Sequence, residues 1–219
     1  MAGTPANDPV ETVARRFLNN DFLIERAARV AALTDWICGF TEVRELACNR
    51  HAVQAAAWFQ DAWSCAGIQA GQFTAPLVLT MQPTDLQRRL AADLAGEQLH
   101  GVVDPPTRFA ALRAIREAGT RGTVAAEAIV LTEATNLDSI GLLWLCGQVA
   151  RCASENAPFA TAMAFWERQI DYRYWPRRIE ETLRFARSRE LAKHRCAALD
   201  TCMTAFRDQL TCGDRHVAP

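Results

Sequence analysis

The chain has 219 residues, half of them hydrophobic and 22% charged, which is the balance of an ordinary globular protein with room for a substantial core. With 24 Lys and Arg against 25 Asp and Glu, the formal net charge is −1, which argues against a dedicated nucleic-acid or acidic-membrane binder. No run approaches the roughly 20 apolar residues of a membrane span, and Met1 to Val10 is a polar leader without an apolar core, so a cytoplasmic protein is expected.

In chain order, the predicted elements are helices throughout. A short helix covers Val10 to Leu18, and Asp21 offers an N-cap for a long helix reaching about Phe40. A brief helix from Thr41 to Ala47 leads into one running from Asn49 or Arg50 to about Ala66. Gly67 to Pro83 reads as the longest irregular stretch, broken by Gly67, Gly71, Pro76 and Pro83. Thr84 with Gln87 makes a capping box for a helix ending near Gly96. Asp104-Pro105-Pro106 opens a helix through Ala118, and another carries Val124 to Glu133. Asp138 is read as the cap of a helix ending near Ser154. Helices over Pro158–Tyr174, Pro176–Arg187 and Ser188–Cys212 complete an all-α chain. Its expected organisation is a leader and short helix over 1–20, a helical core over 21–155, and a C-terminal helical extension over 156–219 packed on that core.

Cys38, Cys48, Cys65, Cys146, Cys152, Cys196, Cys202 and Cys212 are scattered among Ala and Leu, with neither a CxxC nor a zinc-finger spacing. They read as small buried hydrophobes in a reducing compartment. His51, His100, His194 and His216 stand in no ligand frame, and His51 reads as a surface or cap residue. Between Glu167 and Arg195, basic residues including Arg168, Arg173, Arg177, Arg178 and Lys193 alternate with Tyr172, Tyr174, Trp175 and Phe185. Glu180, Glu181 and Glu190 fall among them at helical spacing, which marks a solvated face with local ion pairs rather than a nucleic-acid surface. Trp166 and Trp175 are expected to pack this tail on the domain or on a second subunit.

Three polar residues interrupt otherwise apolar helical stripes. Arg26 shares a face with Leu23, Val30, Leu33 and Ile37; Gln60, followed by Asp61, shares one with Val53, Ala56, Ala57 and Ser64; Glu133 lies between Ile129, Val130 and Leu137. An unpaired buried polar group costs about 1–3 kcal/mol and a charge costs more, so three such residues on three helices are expected to meet.

These residues resemble the HD-domain superfamily of metal-dependent phosphohydrolases. That all-helical family orders its metal ligands as a His, an adjacent His-Asp pair, and a distant Asp. Arg26-Ala27-Ala28-Arg29-Val30 has the frame of the first His phrase, with Arg in the His place. Ala55-Ala56-Ala57-Trp58-Phe59 leads into Gln60-Asp61 where the His-Asp pair stands. Glu133-Ala134-Thr135-Asn136-Leu137-Asp138-Ser139-Ile140-Gly141 has the frame of the last phrase, with Glu in the ligand place. The resemblance spans about 21 to 148 and implies an HD-like helical bundle with additional C-terminal helices.

The departures imply an altered centre. Only Asp61 is an unchanged ligand; a guanidinium has no usable lone pair, and an amide is a poor stand-in for imidazole. Arg26, Gln60, Asp61 and Glu133 are therefore read as a vestigial site without a catalytic residue, metal or cofactor, in which Arg26 replaces the cation between Asp61 and Glu133. Arg26 and Arg29 are the candidate anion-binding pair. The first functional reading is a degenerate HD-like domain that binds or regulates, its partner a protein or a small phosphorylated or nucleotide-like ligand. The alternatives are a divalent-metal phosphohydrolase with an atypical site, and a structural helical protein that assembles as a homo-oligomer.

Overall fold

The computed structural model describes residues 8–212. Among them every regular element is a helix and no strand occurs, so the chain is all-α. The leader up to residue 7 and His216 lie outside the described residues. No single described helix is long and apolar enough to cross a membrane. The chain divides into two compact units, the first ending at Asp138 and the second beginning at Ser139.

In the first unit, α1 (Pro9–Leu18) starts on the Asp8 carboxylate, which accepts from the Val10 amide at 2.9 Å, with Pro9 preset for the first turn. The next helix, α2 (Asp21–Cys38), is capped by Asn20 rather than Asp21, because the Asn20 side chain accepts from Leu23 at 3.1 Å. Its buried stripe of Leu23, Arg26, Ala27, Val30, Thr34 and Ile37 repeats at three and four residues. A one-turn helix, α3 (Thr41–Glu45), leads to α4 (Arg50–Phe59), capped by Asn49.

The helix α4 is apolar nearly all round: Ala52, Val53, Ala55, Ala56, Ala57, Trp58 and Phe59 are all buried. A helix with no polar face belongs at the centre of a bundle, and short Ala side chains let its neighbours approach closely. Around it pack α1, α2, α6 (Asp85–Gln98), α7 (Pro105–Glu117) and α8 (Ala126–Asp138). Polar ties hold the registers. The Gln54 amide donates to the Ala31 carbonyl at 2.9 Å and the Thr34 hydroxyl at 3.0 Å, and Glu127 accepts from the Asn49 amide at 2.8 Å. The Thr84–Gln87 capping box forms at the start of α6, and Asp104 caps α7.

Several element boundaries depart from the sequence reading. The helix expected to reach Ala66 stops at Phe59, and α5 (Ser64–Gln69) restarts after a turn at residues 60–63. That turn is built from short bonds, Ala62 to Phe59 at 3.0 Å and Ser64 to Asp61 at 2.9 Å. The helix expected to stop at Glu133 runs on, so Asp138 ends α8, and the N-cap position of the next helix falls to Gly141. The Asp138 carboxylate is drawn into ion pairs instead. The irregular stretch before α6 contains a 3-10 helix over Ala75–Thr80.

The second unit contains α9 (Leu142–Ser154), α10 (Ala160–Asp171), α11 (Tyr174–Thr182) and α12 (Ala186–Leu210). Trp144 joins them: its ring lies 6.0 Å from Phe165 and meets Trp175 edge-on at 5.5 Å. Trp175 and Trp166 are thus core residues of this unit. Gly141 precedes α9 at φ +95°, and a Cβ there would stand 2.9 Å from the Arg195 Cβ. The basic face carries the ion pairs Arg177–Glu181 and Lys193–Glu190, while Arg178 lies over the Tyr174 and Trp175 rings.

The cysteines correct the expectation of uniform burial. Cys65 and Cys152 are buried, Cys38, Cys48 and Cys196 are half-buried, and Cys146, Cys202 and Cys212 are exposed. On an Ala-rich helix a cysteine carries too little bulk to decide which face turns inward.

Candidate functional site

Arg26 sits in the middle of the buried stripe of α2 and is 3% exposed. Its Nε lies 3.2 Å from Asp61 Oδ2 and 3.7 Å from Asp138 Oδ2. The third contact is a hydrogen bond from Nη1 to the Val78 carbonyl at 2.7 Å. Val78 belongs to the 3-10 helix of the segment between α5 and α6, so that segment folds down onto the arginine. One turn further along α2, Arg29 Nε donates to Asp138 Oδ1 at 2.9 Å and Nη1 to Glu25 Oε1 at 2.9 Å.

Local chain geometry explains why these groups meet. The break after Phe59 turns Asp61 away from the axis of α4, and the Ser64 hydroxyl donating to the Asp61 carbonyl at 2.7 Å fixes that turn. The continuation of α8 past Glu133 carries Asp138 to the same place from the other side. Gln60 does not join the ion pairs; its Oε1 accepts from the Thr135 hydroxyl at 2.7 Å, tying the turn to α8. Glu133 is buried on α8, 1% exposed, five residues before Asp138.

The sequence therefore named Arg26, Gln60, Asp61 and Glu133, and missed Asp138 as a partner of the guanidinium. A signal for it was available: Asp138 follows Glu127, Val130, Leu131 and Ala134 at helical spacing, and no breaker separates Glu133 from it. Reading Asp138 as a cap ended the preceding helix at Glu133, where the chain continues it.

The electrostatics are unbalanced. Two guanidinium groups face Asp61, Asp138 and Glu25. At an effective dielectric of about 20, the attraction between Arg26 and Asp61 at this distance is about 5 kcal/mol. The effective cost of taking each ion out of water is several kcal/mol. The contacts are also poorly aligned: among the described residues Arg26 Nε, Asp61 Oδ2 and Asp138 Oδ2 are buried and make no directional hydrogen bond. Burial accordingly pushes the Asp61 carboxyl above the usual range; Arg26 pulls it back and the Asp138 charge adds to the rise. Next to it, burial lifts the Cys65 thiol to about 11, with the Asp61 charge contributing. Cys65 is thus a protonated neighbour at neutral pH.

This arrangement does structural chemistry. The guanidinium brings α2, the turn after α4, the end of α8 and the segment before α6 to one point, and its donors face carboxylates and a carbonyl. Among the described residues no group of three or more His, Cys, Asp and Glu has the arrangement of a metal site. His51, His100 and His194 are exposed. No family model, curated protein or solved structure matches the chain.

Proposed function

We propose that this chain is an HD-like helical domain in which a buried arginine replaces the metal centre, and that it works by binding a partner protein rather than by hydrolysing phosphate esters. One observation carries this reading: the Arg26 guanidinium, 3% exposed, stands 3.2 Å from the Asp61 carboxylate, and both residues fall in the resembling ligand frames. A fixed positive charge there repels a divalent ion and already occupies the carboxylate a metal would need. The meeting of Arg26, Asp61 and Asp138, one residue from each of the three resembling phrases, supports the HD-like ancestry.

Geometry also argues against a phosphorylated or nucleotide-like ligand held in the old site. Arg26 is covered by the Val78 carbonyl, and Arg29 is shared by Asp138 and Glu25. An anion entering there has to displace carboxylates that are already seated.

The test combines metal analysis of the purified chain with thermal melting and phosphatase assays. The expected result is substoichiometric manganese and iron, an unchanged Tm with millimolar Mn2+, inorganic phosphate or nucleotides, and no turnover of a phosphate monoester. One tightly held metal per chain, or Mn2+-dependent turnover lost in Asp61→Asn, overturns the reading. Stabilisation by nucleotide without turnover replaces the protein partner with a phosphorylated ligand.

A further inference from the structure

The connection between α2 and α4 holds a second cluster, independent of the arginine site. Cys38 is the last residue of α2, and Cys48 lies two residues before α4. Between them the chain turns back on itself. Phe40 and Val43 are buried anchors, and α3 closes with Leu46 bonded to Val43 at 3.1 Å and Ala47 to Arg44 at 3.3 Å. Ala47 then takes a left-handed φ of +51°. That conformation disfavours a residue with a Cβ, and here it reverses the chain so that Cys48 returns to the end of α2. The two thiols come within hydrogen-bonding reach of each other. Both line a cavity of about 350 Å³, together with Val43, Arg44, Ala47 and Arg50.

The two sulfurs are chemically distinct. The Cys48 thiol donates to the Cys38 sulfur, and this bond draws the Cys38 thiol below its ordinary value; burial opposes it and Arg50 assists. Asp35 and Glu127 oppose the thiolate as well. Arg50 also donates from Nε to Asp35 at 2.7 Å, so its charge is shared. Cys48 moves the other way, first because it gives the hydrogen bond to Cys38 and then because it is buried. The shared hydrogen bond therefore favours the thiolate at Cys38 over that at Cys48.

We propose that Cys38 and Cys48 are a dithiol pair that reduces small hydroperoxides entering this cavity and closes to an intramolecular disulfide, with Cys38 attacking and Cys48 resolving. In the first step the Cys38 thiolate attacks the terminal peroxide oxygen. An S–O bond forms, the O–O bond breaks, and the departing alkoxide takes a proton to leave as an alcohol. Sulfur is oxidised by two electrons to the sulfenic acid and the peroxide is reduced. Cys48, no longer held protonated by a neighbouring thiolate, then loses its proton and attacks the sulfenic sulfur. The S–S bond forms, the S–O bond breaks, and hydroxide leaves as water with that proton. Two thiols and one hydroperoxide give one disulfide, one alcohol and one water. The half-buried position admits a small peroxide, and the ten-residue spacing closes a short loop within one turn region.

The experiment treats the native chain with one equivalent of hydrogen peroxide and follows each cysteine by peptide mass spectrometry. The exposed Cys146 and Cys202 serve as internal references. The Cys38–Cys48 disulfide is expected first, with Cys38 oxidised roughly tenfold faster than the references. In Cys48→Ser, dimedone is expected to trap a sulfenic acid at Cys38; in Cys38→Ser, Cys48 is expected to stay reduced. Competitive alkylation of the native chain by iodoacetamide gives the same ranking without any variant, so a misfolded substitution does not spoil the test. Oxidation that starts at Cys146 or Cys202, or a first disulfide that joins any other pair, overturns the proposal.

Discussion

Arg29 donates from Nε to Oδ1 of Asp138 at 2.9 Å, across 109 residues of sequence. The same carboxylate turns its other oxygen toward Arg26 at 3.7 Å. Asp138 is therefore held by two arginines of one helix, spaced three apart, whereas among the described residues Asp61 pairs with Arg26 alone. That difference governs how the cluster responds to substitution.

Removing Arg26 alone leaves Asp61 and Asp138 facing each other in the interior. Arg26→Met is expected to cost about 3–5 kcal/mol in urea unfolding, the usual consequence of stranding a buried charge. The double variant Arg26→Met/Asp61→Leu is expected to recover most of that loss, because Arg29 still neutralises Asp138. A control, Arg113→Ala, removes a solvent-exposed pair with Glu117 and should leave stability close to that of the wild type. Additive losses in the double variant would refute the pairing.

The Asp61 carboxyl titrates above its ordinary value in the folded chain, chiefly through burial. The folded state therefore holds that proton more tightly than the unfolded state does. Its contribution to stability is fully present below the unfolded carboxylate value, near pH 4, and is lost as pH rises through the folded value. Asp61→Asn removes this dependence. The difference in unfolding free energy between wild type and Asp61→Asn is expected to shift in favour of the variant as pH rises from 4, with a slope of at most about 1.4 kcal/mol per pH unit. A pH-independent difference would show that burial does not govern this carboxyl.

Gly141 combines a positive φ with a close approach to Arg195. Gly141→Ala is expected to destabilise by about 2–4 kcal/mol, as backbone strain adds to a forced shift at Arg195. Gly122 has a comparable φ of +82° with nothing near its missing Cβ, so Gly122→Ala should cost only about 1 kcal/mol. Equal losses in thermal melting would remove the steric part of the argument.

Asn49 accepts from the Ala52 amide at 3.1 Å, and its own amide donates to Thr107 at 3.3 Å. Asn49→Ala loses both the cap of the central helix and a tie to α7, with an expected cost of about 1–2 kcal/mol. Asn49→Asp keeps the cap acceptor and should lose about half as much. If Asp behaves like Ala, the tie to Thr107 and not the cap dominates.

Much of this protein is legible in its sequence. The helical class, the caps at Thr84 and Asp104, the central burial of the Ala55–Phe59 run, and the inward placement of Arg26, Gln60 and Glu133 all follow from local periodicity and capping chemistry. Each of these is settled within a turn or two of helix, where neighbouring side chains and orphan amides supply the physics. The tertiary structure alone decided which charges meet. The break after Phe59 does not show in an Ala-rich stretch of high helix propensity, and the run of α8 to Asp138 hid behind a residue that favours caps. The pairing of Cys38 with Cys48 likewise depends on a left-handed alanine that no propensity predicts. Charges and thiols separated by tens of residues find one another only after packing has fixed the helices. Burial then removes water as the competing partner, so the ion pairs that form are those the bundle brings into reach.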